Sequence, residues 1–381
     1  MKTMISNLPV DLLEEILSRV QVKSISKVRS TCKNWNVLTK DQRFANKHIE
    51  KARASQQEKE VLVITGDTNY DLINVKFYDF HNKTFGPSTK SNGILITQQN
   101  SDSGVFVRDI FYCNGLLLCV LGNVKLRLLV WNPYWGKTRW IKSPTKRSGE
   151  RGERFAFGYD KSSRTHKILR LSKYDDDLFI HMDIYDWSSD SWKTPHPDAA
   201  FHSNVIDQSI KYTKPGVSLK GNSYWHAKDK KSGRNFLQCF DFTRERFGPR
   251  LPIPFEFAPG FYASLSSFRE EKLALLLDLR DRIGITVWVT DKIEPDAVYW
   301  SKLFRVETLQ LRYRGFMFGS FLIDEEKKTV VVFGGYEGCY KKSEYIIDGE
   351  SGDFRQVERI GSHYSKLFNL VSCYVPSSVQ I

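Results

Sequence analysis

The sequence predicts an α+β multidomain chain: three short helices over residues 1–50, a polar linker at 51–60 and a large all-β domain over 61–381. Three observations carry this. Up to about residue 50, apolar residues recur at three- and four-residue intervals, the spacing of one helix face. From Val61 onward the pattern turns to short alternating or continuous runs of Val, Ile, Leu, Phe, Tyr and Trp, punctuated by Gly, Asn, Asp and Ser, as in strands and turns. Within that region a turn element recurs six times at intervals of about 50 to 58 residues, the spacing of one four-stranded propeller blade with long loops. A six-bladed β-propeller is the expected architecture, with a β-sandwich or an open β-solenoid as the alternatives that a turn-rich sequence leaves open.

The first helix is expected to start at Asn7 as cap, with Pro9 in its first turn and Asp11, Glu14 and Glu15 near the positive end of its dipole. Leu12, Leu13, Ile16, Leu17 and Val20 give it one broad apolar stripe. Ser24 is the expected cap of a second helix in which Ile25, Val28, Cys32 and Trp35 align, while Lys23, Lys27, Arg29 and Lys33 decorate other faces. A third starts at Asp41 and carries Phe44, His48 and Ile49. So small a helical unit cannot bury these side chains among themselves, so it needs a partner surface, either another protein or the large domain.

The charge distribution points the same way. The chain carries a net charge of +13, and up to Ala54 there are eleven Lys/Arg against five Asp/Glu, a surplus of six. A surplus concentrated there suits an acidic protein partner for the helices. With 41% hydrophobic and 13% aromatic residues the chain can bury a sizeable core. No stretch approaches 18 consecutive apolar residues and no signal peptide is visible, so an intracellular protein of the cytoplasm, the nucleus or both is expected. The six cysteines stand singly without metal-ligand spacing.

In the repeated element a strand ends in Asp or Asn, a polar turn follows, and an aromatic residue opens the next strand. The copies are Tyr78-Asp79-Phe80 to Phe85, Trp131-Asn132-Pro133 to Trp140, Tyr185-Asp186-Trp187 to Trp192, Phe240-Asp241-Phe242 to Phe247, Trp288-Val289-Thr290-Asp291 to Trp300, and Ile346-Ile347-Asp348 to Phe354. The carboxylate or amide accepts turn N–H bonds, and the aromatics pack between blades.

The run Leu8-Pro9-Val10-Asp11-Leu12-Leu13-Glu14-Glu15-Ile16-Leu17-Ser18-Arg19, then Val22-Lys23-Ser24-Ile25 and Val28-Arg29-Ser30-Thr31-Cys32-Lys33-Asn34-Trp35, resembles the F-box motif along its length. It departs at Gln21, where many members carry Pro. Further on, Trp131-Asn132-Pro133, Phe157-Gly158-Tyr159-Asp160 and Gly221-Asn222-Ser223-Tyr224-Trp225 resemble the F-box-associated domain of plant F-box proteins. Gly334-Gly335 is similar to the double glycine of a kelch blade, once only.

The resemblance implies a substrate receptor of a Skp–cullin–F-box ubiquitin ligase. Its partners would be an acidic Skp-type adaptor, a cullin reached through that adaptor, and a target protein bound by the β domain. Leu8, Pro9, Leu12, Ile16, Leu17, Val22, Ile25, Val28 and Trp35 are the implied adaptor-binding residues. The irregular connections 143–153, 194–214 and 252–262 are the expected target surface, with Tyr212, Phe255, Phe257, Phe261 and Tyr262 as aromatic anchors.

Catalytic signatures are missing. There is no Gly-Lys-Ser/Thr phosphate loop, no Gly-x-Ser-x-Gly elbow and no His-Glu-x-x-His helix, so no enzyme, cofactor or metal is expected. Asp175-Asp176-Asp177 and the basic cluster at Lys228–Lys231 read as solvated loops. The competing reading is a basic β-propeller that binds nucleic acid or another anion without any ligase role; membrane association is not expected.

Overall fold

The computed structural model describes residues 8–20, 24–54, 61–67, 72–79, 84–85, 94–95, 107–122, 126–142, 153–173, 180–194, 216–229, 232–254, 261–268, 271–279, 284–307, 316–325, 328–336, 342–360, 370–373 and 377–381. Among these the N-terminal part forms four helices rather than the predicted three: α1 (Val10–Leu17), α2 (Ile25–Thr31), α3 (Lys33–Lys40) and α4 (Gln42–Ala54). The predicted second helix breaks at Cys32, which is extended (φ −154°, ψ 160°) and whose Sγ accepts the Trp35 N–H. That cap restarts the chain as a separate helix, α3, which periodicity through Ile25, Val28, Cys32 and Trp35 could not reveal.

Two of the expected helix starts differ in detail. Pro9 precedes the first helical residue instead of occupying the first turn, and its carbonyl receives the Leu12 and Leu13 amides at 3.1 and 3.0 Å. Asn7 lies outside the described residues. Ser24 precedes α2 but makes no side-chain cap bond. Asp41 starts α4 as expected, its Oδ1 receiving the Arg43 amide at 2.8 Å. The helix runs on to Ala54, so it absorbs Lys51–Ala54 from the predicted linker.

The β domain opens with β1 (Val61–Asp67), β2 (Leu72–Asp79), β3 (Thr84–Phe85) and β4 (Ile94–Leu95). Five sequential four-stranded sheets follow. The first holds β5 (Val107–Cys113), β6 (Leu116–Leu121), β7 (Arg127–Asn132) and β8 (Lys137–Ile141). The second holds β9 (Arg154–Asp160), β10 (Thr165–Lys173), β11 (Ile180–Asp186) and β12 (Ser191–Lys193). Next come β13 (Val217–Leu219), β14 (Asn222–Lys228), β15 (Asn235–Asp241) and β16 (Arg246–Leu251), then β17 (Phe261–Phe268), β18 (Lys272–Leu279), β19 (Ile285–Glu294) and β20 (Ala297–Val306). The last of these sheets holds β21 (Phe316–Asp324), β22 (Thr329–Tyr336), β23 (Lys342–Asp348) and β24 (Phe354–Ile360). Finally β25 (Leu370–Cys373) returns to pair antiparallel with β1, Val61 opposite Cys373, in one sheet with β2, β3 and β4.

The first strands of the sheets stand side by side. In order, β5 touches β9, β9 touches β13, β13 touches β17, β17 touches β21, β21 touches β25, and β25 touches β5. This is a β-propeller. Ring closure by a late strand on the first leaves no open edge at the seam, which would otherwise offer unpaired backbone groups.

The repeated turn element sits where the sequence places it, between the third and fourth strands. Asn132, Asp186, Asp241 and Asp348 end β7, β11, β15 and β23, and Oδ1 of each receives the amide two residues on, at 2.9 Å in all four. The residue four positions on has positive φ in every case: Gly136 (66°), Asp190 (50°), Glu245 (52°) and Gly352 (74°). Asp291 is the exception, because it lies inside β19 and the turn falls later, at Pro295–Asp296. A register shift between Thr290 and Lys292 carries the longer β19–β20 hairpin past that point.

Seams between sheets use side chains on main chain. Ser266 Oγ donates to the Phe321 carbonyl at 2.8 Å, and Ser223 Oγ to the Phe157 carbonyl at 3.2 Å. Trp192 Nε1 donates to the Lys142 carbonyl (2.7 Å), and Trp300 Nε1 repeats the contact on Pro252 (3.0 Å). A Cβ at Gly158 would stand 2.0 Å from the Phe242 ring, so only glycine there lets the next sheet's aromatic close the seam. Buried ions also span the strands: Arg170 pairs with Glu153 and with Asp183 (3.1 Å), and Lys167 reaches Asp160 (2.6 Å) and Glu245 (2.7 Å).

Candidate functional site

Helix α1 presents two unlike faces. Leu13 and Leu17, one turn apart, are buried, whereas Val10, Leu12 and Ile16 are 64, 47 and 46% exposed. Val37 on α3 is 73% exposed, Pro9 is exposed and Leu8 is half-buried. Isolated exposed apolar residues are ordinary, but these fall on one small helical unit whose inner face is already filled.

The inner face packs on the propeller. Leu17, Ile25, Phe44, Ala45 and Ile49 form one buried cluster with Tyr134 and Trp135 from the β7–β8 turn, edged by Val20, Val28, Trp35 and Leu38. Arg29 lies over both rings, 5.0 Å from the Tyr134 centroid and 4.9 Å from that of Trp135, and donates to the carbonyls of Tyr134 and Thr39. Sequence reading placed Arg29 on an outer face. The structure turns it inward, because two aromatic faces and two carbonyls there satisfy a guanidinium better than periodicity can show.

His48 completes the joint. Val20 O can only accept, so Nε2 carries the hydrogen toward it and Nδ1 receives the Tyr134 hydroxyl at 3.1 Å. Desolvation, reinforced by the Arg29 charge and opposed by the bond to Val20, holds His48 below the usual histidine range. Burial likewise pushes the Tyr134 hydroxyl up to about 12, with Arg29 opposing, so it remains a donor. On the outside of the same joint Glu15 meets Lys51 (2.6 Å), Arg19 (3.0 Å) and Lys47 (3.2 Å), which together pull its carboxyl down to about 2. These exposed pairs tie α1 to α4 weakly.

A second chain segment enters the joint. Residues 377–381 lie against the β7–β8 turn, where Asn132 Nδ2 donates to the carbonyls of Ser377 (3.0 Å) and Val379 (2.7 Å). The carbonyl of Ser378 accepts from Trp135 Nε1 (3.1 Å) and from Gln42 Nε2 of α4 (3.2 Å), and Ile381 packs on the core beneath.

The implied adaptor residues therefore divide. Leu8, Pro9, Leu12 and Ile16 lie on or beside the outer face. Leu17 and Ile25 are 3 and 2% exposed, committed to the inner cluster, and Val28 and Trp35 are half-buried against it. As placed, Leu17 and Ile25 cannot fill a partner's pockets, since the propeller turn already covers them. Val22 lies outside the described residues. Of the expected target anchors, Tyr212, Phe255 and Phe257 lie outside them as well, while Phe261 and Tyr262 open strand β17 rather than belonging to a connection.

The sequence held one signal for the joint that went unread. At the positions of Tyr134 and Trp135, the equivalent turns carry Ser188 and Ser189, Thr243 and Arg244, or Glu350 and Ser351. Two large aromatics in a place otherwise polar mark a covered turn. No group of His, Cys, Asp or Glu suited to a metal ion occurs among the described residues, and Asp175–Asp177 lie outside them.

Comparison with known proteins agrees with the two-part organisation. Residues 61–381 match the F-box associated beta propeller domain family, and residues 5–47 match the F-box domain family. An F-box/kelch-repeat protein of Arabidopsis thaliana is 42% identical over 99% of this chain and 99% of its own. An F-box protein of the same plant is also 42% identical, over 99% of this chain and 100% of its own.

Proposed function

Because the chain belongs to the F-box proteins that carry an F-box-associated β-propeller, we propose that it is the substrate receptor of a Skp–cullin–F-box ubiquitin ligase. Helix α1 docks a Skp-type adaptor, through it a cullin, and the propeller holds a target protein for ubiquitination and proteasomal degradation. Its contribution is proximity and orientation, without chemistry on its own side chains. The observation that carries this reading is the outer face of Val10, Leu12, Ile16 and Val37, left exposed on a helical unit whose other face is fully used. The basic surplus around it complements an acidic adaptor.

The sheet of β1–β4 and β25 serves in this reading as a sixth blade, supported by the contacts of β25 with both β21 and β5. Target selection is assigned to connections on one face of the ring, with Tyr212, Phe255 and Phe257 as loop anchors and Phe261 and Tyr262 at the strand start beside them, since loops differ from blade to blade while seams do not.

Ile16→Asp tests the core of the proposal. A carboxylate on the exposed face leaves the intramolecular packing alone but enters a desolvated interface at a cost of several kcal/mol. Pull-down with a purified Skp-type adaptor should fail for this variant while its thermal melt matches wild type. Unchanged capture would remove the proposal.

A further inference from the structure

Among the comparable turns, only β7–β8 opens with an amide. Asp186, Asp241 and Asp348 supply a carboxylate, which accepts turn amides and can donate nothing. Asn132 keeps the acceptor role through Oδ1, receiving the Tyr134 amide at 2.9 Å and the Trp135 amide at 3.4 Å. Its Nδ2 is then free to donate, and it spends both hydrogens on the carbonyls of Ser377 and Val379. Asn132 is fully buried, so a carboxylate there would set an unpaired charge against two carbonyl dipoles. The carbonyl between them, on Ser378, takes one bond from the propeller (Trp135) and one from the helical unit (Gln42). Three consecutive carbonyls are thus held by side chains of both parts, a few residues beyond the strand β25 that pairs with β1.

We propose that residues 377–381 form a strap, with Asn132 as its clasp, that seats the helical unit on the propeller once β25 has closed the ring. The adaptor-binding face of α1 is then positioned by completion of the far end of the fold, and a chain whose ring has not closed presents that face poorly. This rests on the reading of α1 as an adaptor site.

The test uses the full chain, Asn132→Asp and a form lacking residues 377–381, each followed by hydrogen–deuterium exchange and by affinity for a purified Skp-type adaptor. Amides of α1 to α4 should exchange at least tenfold faster in both variants, adaptor affinity should fall about tenfold, and β9–β24 should keep wild-type protection. Wild-type exchange rates in the helices of both variants overturn the strap. If the truncated form loosens β9–β24 too, Gln42→Met decides, because it removes α4's own donor to Ser378 and leaves Tyr134 and Trp135 in place: faster helix exchange supports the strap and wild-type rates overturn it. A full chain that binds no adaptor defeats the functional reading instead, and the exchange measurement still judges the strap.

Discussion

The β7–β8 turn and its counterparts at β11–β12, β15–β16 and β23–β24 share one backbone plan, an Asx acceptor at the start and a left-handed residue four positions on. Their surfaces differ completely. Three present Ser, Thr, Arg or Glu to water, while β7–β8 presents Tyr134 and Trp135 to a helical unit and Asn132 to the returning chain. Local turn chemistry and the use made of the turn are therefore separable: the first follows from Asp or Asn and the αL residue, the second from two side chains that do not affect the backbone at all.

The largest expected effect comes from erasing that difference. Tyr134→Ser with Trp135→Ser would copy the β11–β12 turn and remove the floor of the helical core. Loss of a buried aromatic costs about 3–5 kcal/mol, and two such losses exceed what so small a helical unit holds in reserve. Denaturant unfolding should split into two transitions, with the helices melting first and the sheets keeping their midpoint. A single transition at the wild-type midpoint would show that the turn is not the floor.

Acid sharpens the comparison next, because the joint and an ordinary seam each close on a neutral histidine. His166 is buried between the β5–β8 and β9–β12 sheets, its Nε2 bonded to the Cys113 carbonyl at 3.2 Å, and desolvation brings it from 6.5 down to about 4. The unfolded chain takes up this proton near pH 6.5 and the folded one only near 4, so stability is full above that window and falls as pH drops through it. The loss is on the order of 3 kcal/mol. His48 shifts in the same direction, so the joint also loses stability as the pH falls below the usual histidine range. Stability measured at pH 7 and pH 4.5 should differ for wild type, and His166→Gln should remove most of the seam's share.

The smallest effect is the converse swap. Asp241→Asn keeps the acceptor for the Thr243 and Arg244 amides (2.9 and 3.0 Å) and gives up a long contact to Arg244 at 3.8 Å. A change under about 1 kcal/mol is expected from urea unfolding, since the lost contact is long and its Arg244 end is exposed. A large loss would mean that the carboxylates of these turns serve the seams, as Glu245 does with Lys167.

Two of the phrases that carried the family resemblance gain a physical account at the same level. In Phe157-Gly158-Tyr159-Asp160, glycine admits the Phe242 ring, the Tyr159 amide donates to Gly221 O at 2.9 Å, and Asp160 binds Lys167. In Trp131-Asn132-Pro133, the asparagine serves turn and tail together. Such contacts explain why these short strings mark the domain better than composition does.

By itself the sequence determined the division into a helical and a β part, the position of α1 and α4, and five of the six repeated turns at the ends of third strands, because each depends on contacts between residues near in the chain: helix periodicity, an Asx residue at a strand end, a polar turn before the next strand. It also marked Leu12 and Ile16 as interface candidates. Tertiary structure alone decided that Cys32 would break a continuous apolar stripe, that Leu17 and Ile25 would face inward, and that Arg29 would leave its expected surface. The last two turn on the β7–β8 turn, about 100 residues away from the helices it meets, and the segment at 377–381, about 350 residues away, reaches α4 through Gln42. A stripe of apolar side chains states only that burial is required; which surface supplies it is set when distant segments compete for the same face, and here the propeller turn took the inner side of α1 and left the outer side open.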